Sequence, residues 1–195
     1  FHSRETQAAR AYKDVFRYTL RTAWNGAAFT RALQGVIARH PALRTCFNLS
    51  DHGRPLQLIR HSLMVESVLA IVHPPVGEHE QSISRHMREW AEHDYRFAEG
   101  PLFNISVFPD EPAATVDLVL SFHHAILDGG SVANLMRELL LSYARDGDPE
   151  LGYAQHDLPN PAVFVADELA AMDAQEHRRY WCEYLEGATP TMPVG

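Results

Sequence analysis

Residues 115–122, TVDLVLSF, constrain the fold more than any other stretch of this chain. They are apolar on both of the sides that a strand presents, which is the pattern of a central, covered strand. Its neighbours can be read from the same alternation. Residues 15–24, VFRYTLRTAW, place Phe16, Tyr18, Leu20, Thr22 and Trp24 on one side, and that period of two predicts a half-buried strand ended by Asn25-Gly26. Residues 43–49 and 56–59 flank a polar turn and predict a hairpin. Residues 64–72 and 102–108 are further strands, the second joined to 115–122 by the turn PDEPAA.

Helices alternate with these strands. In 27–40 the apolar residues Phe29, Leu33, Val36 and Ile37 fall at helical spacing, and Pro41 closes the segment. In 78–97, Ile83, Met87, Trp90 and Ala91 share one face. Ser131 is placed to cap a helix carrying Val132, Leu135, Met136, Leu139 and Tyr143. Residues 145–161 form a polar loop, and 162–186 a last helical region. Hairpins stand beside helix crossovers, so the pattern predicts a two-layer α/β sandwich with a mixed sheet covered by helices. It does not alternate regularly enough for a doubly wound parallel sheet.

At 195 residues the chain is long enough for one domain with a real core. Its net charge is -8, and no run of Lys or Arg occurs, which argues against a nucleic-acid partner. No apolar stretch is long enough to cross a bilayer, and no signal peptide is visible. The two cysteines, Cys46 and Cys182, lie far apart and outside any paired motif, as in a cytoplasmic protein without a disulfide framework. The opening FHSRE and the closing GATPTMPVG both look cut, and predict a piece of a larger polypeptide.

The chemistry concentrates in residues 123–130, HHAILDGG, directly after the covered strand. Adjacent strand residues point to opposite faces, so His123 and His124 cannot easily share one metal ion. No H-E-x-x-H or C-x-x-C pair occurs, and no metal is expected. Two readings stand. A histidine at a strand end can be simply a hydrogen-bonded structural group. Alternatively, a strand end is where an α/β sheet tends to place its chemistry, and an ordinary imidazole titrates near ~6.5 and can accept a proton at neutral pH. The following glycines let a ligand come close to the backbone. No G-x-S-x-G elbow is present. The catalytic reading is therefore of a base that activates a hydroxyl or amine of a substrate.

The HHAILDGGS segment resembles the HHxxxDG motif of nonribosomal peptide synthetase condensation domains and of acyltransferases with the chloramphenicol-acetyltransferase-like fold. Three more segments follow in that family's order. ARHPALRTCF (38–47) is similar to RHExLRTxF, with Pro41 in place of Glu. YRFAEGPLFNISVF (95–108) is similar to FDLxxGPLxR, departing at Ala98 and Asn104. YWCEYLEGATP (180–190) is similar to YWxxxLxGxxP. The resemblance covers nearly the whole chain but only the first of the two lobes of such a domain. It implies that residues 1–195 are an N-terminal lobe slightly truncated at its start, with the C-terminal lobe absent.

The remaining expectations are what this resemblance implies. His124 is the catalytic residue, as general base toward an acceptor amine or as a group that positions it. His123 is structural support. Asp128 points away from substrate and pairs with Arg44, fixing the loop that carries His124. Gly129 lets the backbone turn close to the reacting thioester, and Gly130 stands where many members have Trp. The reaction is amide-bond formation between a donor acyl or peptidyl thioester and an acceptor aminoacyl thioester. No cofactor is bound covalently; the phosphopantetheine arms arrive on donor and acceptor carrier proteins. The other partner is the C-terminal lobe, whose absence leaves an apolar face open to self-association. The isolated lobe is expected to be inactive. An epimerization or other condensation-like domain, a coenzyme A-dependent acyltransferase and a noncatalytic carrier-recognition module are the alternatives.

Overall fold

A computed structural model describes residues 12–49, 55–148 and 160–189. The chain divides into two compact units, Phe1–His156 and Asp157–Gly195.

The first unit is built on β1 (Lys13–Arg21), β4 (Leu69–Ile71), β5 (Phe103–Asp110) and β6 (Thr115–His123), with β2 (Thr45–Asn48) and β3 (Leu56–Ile59) as a separate ribbon. The larger sheet has the order β1-β6-β5-β4. β6 runs antiparallel to both of its neighbours, and β4 runs parallel to β5, so the sheet is mixed as expected. β6 is central, with eight of its nine residues buried, from Val116 to His123, and only Thr115 half-buried. The β2–β3 hairpin also forms, with Thr45 opposite Ile59; residues 50–54 of its turn lie outside the described residues.

Alternate residues of β6 face different helices. Val116, Leu118, Leu120 and Phe122 join Phe103, Ile105 and Val107 of β5 in the main core. That core is closed by Phe29, Leu33, Val36 and Ile37 of α1 (Gly26–Arg39) and by Val132, Leu135, Met136 and Leu139 of α3 (Gly129–Ala144). On the opposite face Val119 packs with Phe108 and with Ile83 of α2 (His79–Glu92), and Val15 and Met87 border them. Helices thus cover the mixed sheet, as expected of an α/β lobe, with α1 and α3 on one face and α2 on the other. The physical reason is the two-sided apolarity of β6, which leaves neither face stable against water.

The α2 face also holds polar groups, each matched. Asp117 accepts from Arg17 Nε at 2.8 Å, from Thr19 Oγ1 and from His79 Nε2 at 3.0 Å. Burial alone would raise its carboxyl, but these three donors outweigh that and hold it below the usual carboxylate range. Arg17 also forks onto Glu80 at 2.7 and 2.6 Å.

Three expectations are corrected. Within 64–72, Val65–Ser67 form a 3-10 turn and only Leu69–Ile71 is strand. In a 3-10 turn residues i and i+3 share a side, and this puts both Val65 and Val68 into the core. The helix expected to reach residue 97 ends at Glu92, since His93 is extended and the chain turns so that the Tyr95 hydroxyl meets Ser121 Oγ at 2.8 Å. The cap of α3 is Asp128, whose side chain accepts from Ser131 N; Ser131 lies within the first turn.

The second unit contains α4 (Pro161–Asp173), capped by Asn160, and α5 (Gln175–Tyr184), which are separated by extended Ala174. The last helical region is therefore two helices. Neither buries a residue, and Phe164, Leu169, Met172, Trp181 and Tyr184 are exposed.

Candidate active site

The end of β6 is held by its neighbours. Lys13 lies opposite His123, and the chain remains tied one residue further, where His124 N donates to Tyr12 O at 2.8 Å. His123 N donates to Leu102 O on the other side. Both histidines thus leave a fixed backbone, and the pleat sends them to opposite faces.

His123 enters the α2 face and is 6% exposed. The ring of Phe97 meets it edge-on at 4.7 Å, and Tyr95 and Tyr12 flank it at 6.3 and 6.4 Å. Its Nδ1 accepts from Ala125 N at 3.0 Å. That bond requires an unprotonated Nδ1, so the single ring proton sits on Nε2. Burial, followed by the charges of His124 and Lys13, pushes its pKa down to about 4. His123 is a neutral ring that caps the turn after β6.

His124 follows the row of Phe122 and emerges at the rim of the main core, with its side chain one-third exposed. Phe122 packs edge-on against it at 5.2 Å. Its Nε2 lies 2.9 Å from Oδ2 of Asp14 on β1, a carboxylate with an exposure of 44%. The partner of Nε2 is therefore neither a hydroxyl nor a thiol. The geometry suits an imidazole that takes a proton from a nucleophile brought by a substrate.

The expected pairing of Asp128 with Arg44 does not form. Asp128 Oδ1 accepts from Ser131 N at 2.7 Å, and hydrogen bonds from Ser131 hold its exposed carboxyl below the usual range. Arg44 closes the 3-10 turn Pro41–Arg44, where the exposed carbonyls at the end of α1 attract its charge. It donates to Ile37 O, Ala38 O, Arg60 O and His61 O. The guanidinium is occupied in tying α1 to the end of β3. Unpaired backbone acceptors at a helix terminus outcompete a carboxylate that is already bonded as a cap.

Gly129 is the first residue of α3, and a Cβ built on it would meet nothing within 4 Å. A Cβ on Gly130 would sit 3.6 Å from Asp128 Oδ1, an ordinary contact. Packing among the described residues therefore does not demand glycine at either position, and both leave the backbone of the helix start bare. Among the described residues no group of three His, Cys, Asp or Glu could hold a metal ion, and no helix is long and apolar enough to cross a membrane.

Sequence reasoning missed Asp14. The strand had been expected to begin at Val15, and the pairing of β1 with β6 brings together residues 110 apart. The available signal was a charged residue in line with Phe16, Tyr18 and Leu20, on a face otherwise apolar.

Comparison with known proteins adds the family. The model of the condensation domain family matches residues 1–194. The chain is 27% identical over 195 residues to a linear gramicidin synthase of Brevibacillus parabrevis, covering 98% of this chain and 4% of that protein. It is 29% identical over 172 residues to the AMB antimetabolite synthetase AmbE of Pseudomonas aeruginosa, covering 84% of this chain and 8% of that protein. The solved starter condensation domain of rhizomide synthetase RzmA superposes with a TM-score of 0.74 at 18% identity, covering 95% of this chain and 46% of that one. The first condensation domain of the calcium-dependent antibiotic synthetase, solved with a substrate analogue, superposes with a TM-score of 0.72 at 18% identity, covering 93% and 44%. The chain thus spans a few per cent of its curated relatives and under half of the solved condensation-domain chains that share its fold.

Proposed function

The chain belongs to the condensation domain family, and from that premise we propose that it is the N-terminal, histidine-bearing lobe of a domain that forms amide bonds between carrier-bound substrates. The observation that carries this reading is His124, a partly exposed imidazole at a fixed strand end with no protein nucleophile on its Nε2. The nucleophile is then the amine of an acceptor aminoacyl thioester, and the electrophile is the carbonyl of a donor acyl or peptidyl thioester. As the amine attacks, the C–N bond forms and the C–S bond breaks. His124 takes the amine proton and returns it to the departing thiolate. Both thioesters arrive on phosphopantetheine arms of carrier proteins, in the cytoplasm.

The rest of the site supports His124. His123 secures the turn from the buried face. Asp128 starts α3 by capping it, and Gly129 leaves the helix start open to the donor. Arg44 acts at a distance, by holding α1 against β3. The remaining wall of the site comes from the C-terminal lobe, so the lobe alone turns over no substrate. The exposed apolar residues of α4 and α5 support contact with a further surface, either the rest of the domain or, in the isolated lobe, a second copy. Sedimentation of the isolated lobe tests this, and a strict monomer at high concentration would count against self-association.

The test of the catalytic reading is His124→Ala in the complete condensation domain, with donor and acceptor carriers loaded. General-base help is worth about 10²–10⁴-fold, and a loss of condensation on that scale is expected. A variant that condenses near the wild-type rate would remove His124 as the base.

A further inference from the structure

We propose that Asp14 is the positioning residue for His124: it holds the imidazole through Nε2 and thereby presents Nδ1 as the nitrogen that accepts the proton. This rests on the reading of His124 as the base. It reassigns the group that holds the base, from Asp128 in the loop to a carboxylate on the neighbouring strand.

The geometry on both sides is rigid. Asp14 stands opposite Phe122 in the β1–β6 register, two residues before His124, and the backbone bond from His124 N to Tyr12 O locks the strands one step beyond. The contact from Asp14 Oδ2 to Nε2 is 2.9 Å. The edge of Phe122 blocks one flank of the ring. A hydrogen bond to one nitrogen of a neutral imidazole selects the tautomer, because the bonded nitrogen carries the proton and the other keeps the lone pair. A carboxylate accepts only, so the proton lies on Nε2 and Nδ1 is free to act. When Nδ1 takes the amine proton, the resulting imidazolium keeps its Nε2–H on Asp14, and the carboxylate stabilises the charge until the proton passes to the leaving thiolate.

Two further observations favour this role. Asp14 breaks a row of β1 residues that otherwise reads Phe16, Tyr18 and Leu20, and aspartate is poorly suited to a strand. The carboxylate first expected to steady the loop, Asp128, is committed to the cap of α3.

The test uses the complete domain with loaded carriers and compares Asp14→Leu, Asp14→Asn, Asp14→Glu and His124→Ala. Hydrogen-bond partners behind metal-ligating imidazoles contribute about 10–100-fold in activity, and by the same orienting effect Asp14→Leu should lower kcat on that scale with KM for both carriers unchanged. Asp14→Asn, which keeps an acceptor without its charge, should fall between, and Asp14→Glu should restore part of the rate. Nitrogen-15 NMR of the His124 ring should show the proton on Nε2 in the wild type, with this preference lost in Asp14→Leu. If Asp14→Leu keeps the wild-type kcat while His124→Ala does not, the role of Asp14 falls and the base stands. If His124→Ala itself keeps the rate, the base falls and this proposal falls with it. A wild-type ring protonated on Nδ1 alone would also overturn the assignment. Should Asp14→Leu fail to fold, the Asn variant and the wild-type spectrum decide the matter.

Discussion

The two faces of β6 bury their residues in different ways. Toward α1 and α3, Val116, Leu118, Leu120 and Phe122 form an unbroken apolar row at 0% exposure. Toward α2, Asp117, Ser121 and His123 are also buried, but each has a hydrogen-bond partner. A buried polar group is tolerable only when matched, and every polar group named on this second face is matched. The imidazole proposed as the base stands where the apolar row runs out. His124 continues that row beyond the covering helices, and there its ring is both held and reachable. Burial and a displaced pKa together single out His123, whereas the proposed base is its partly exposed neighbour His124.

The largest effect should come from the apolar row. Phe122→Ala should destabilise the chain by about 3–5 kcal/mol, read from urea unfolding, because it empties a fully enclosed site. A cost near zero would mean that the row is not the structural core.

Acidification probes the matched face next. Unfolded, His123 takes up a proton near ~6.5, whereas the folded ring refuses it down to about 4. The unfolded state therefore binds more protons in that window, and stability should fall as the pH drops through it, by on the order of 3 kcal/mol from this ring. His123→Asn should remove that part of the slope, seen as the difference between the two pH profiles.

Asp117→Asn should cost somewhat less, about 2 kcal/mol, since Arg17 keeps Glu80 while His79 and Thr19 lose their charged acceptor. The smallest change in stability belongs to His124→Ala, at under about 0.5 kcal/mol, as for other partly exposed positions away from the core. Equal stability losses for His123 and His124 variants would erase the contrast between the two faces.

Much of this fold was legible in the sequence because its elements carry clear periods. The alternation in residues 15–24 and the heptad-like spacing of Phe29, Leu33 and Val36 correspond to β1 and α1. The hairpin partner LQLI coincides with β3, Leu56–Ile59. The misread segments are those where a short turn imitates a strand or helix. Val65 and Val68 are strand-forming residues but reach the core through a 3-10 turn, and Tyr95 leaves the period of α2 to reach Ser121. The unequal burial of His123 and His124 was foreseeable from the pleat. The partner of Arg44 was not, since side chains choose among acceptors that only the folded backbone places.

Local order along the chain was enough for the strand and helix pattern, for a covered central strand and for a pair of histidines facing opposite ways. These follow from the 2.0 and 3.6 residue periods and from the cost of exposing apolar surface, both readable in linear order. Which carboxylate meets which imidazole followed only from the fold. Asp14 and His124 are distant in sequence, and the antiparallel pairing of β1 with β6, which sets Asp14 opposite Phe122, brings their side chains into contact, while Arg44 and Asp128 are each satisfied by backbone groups of their own neighbourhood. Strand pairing is set by the packing of whole faces, and it brings together side chains whose complementarity no local pattern records.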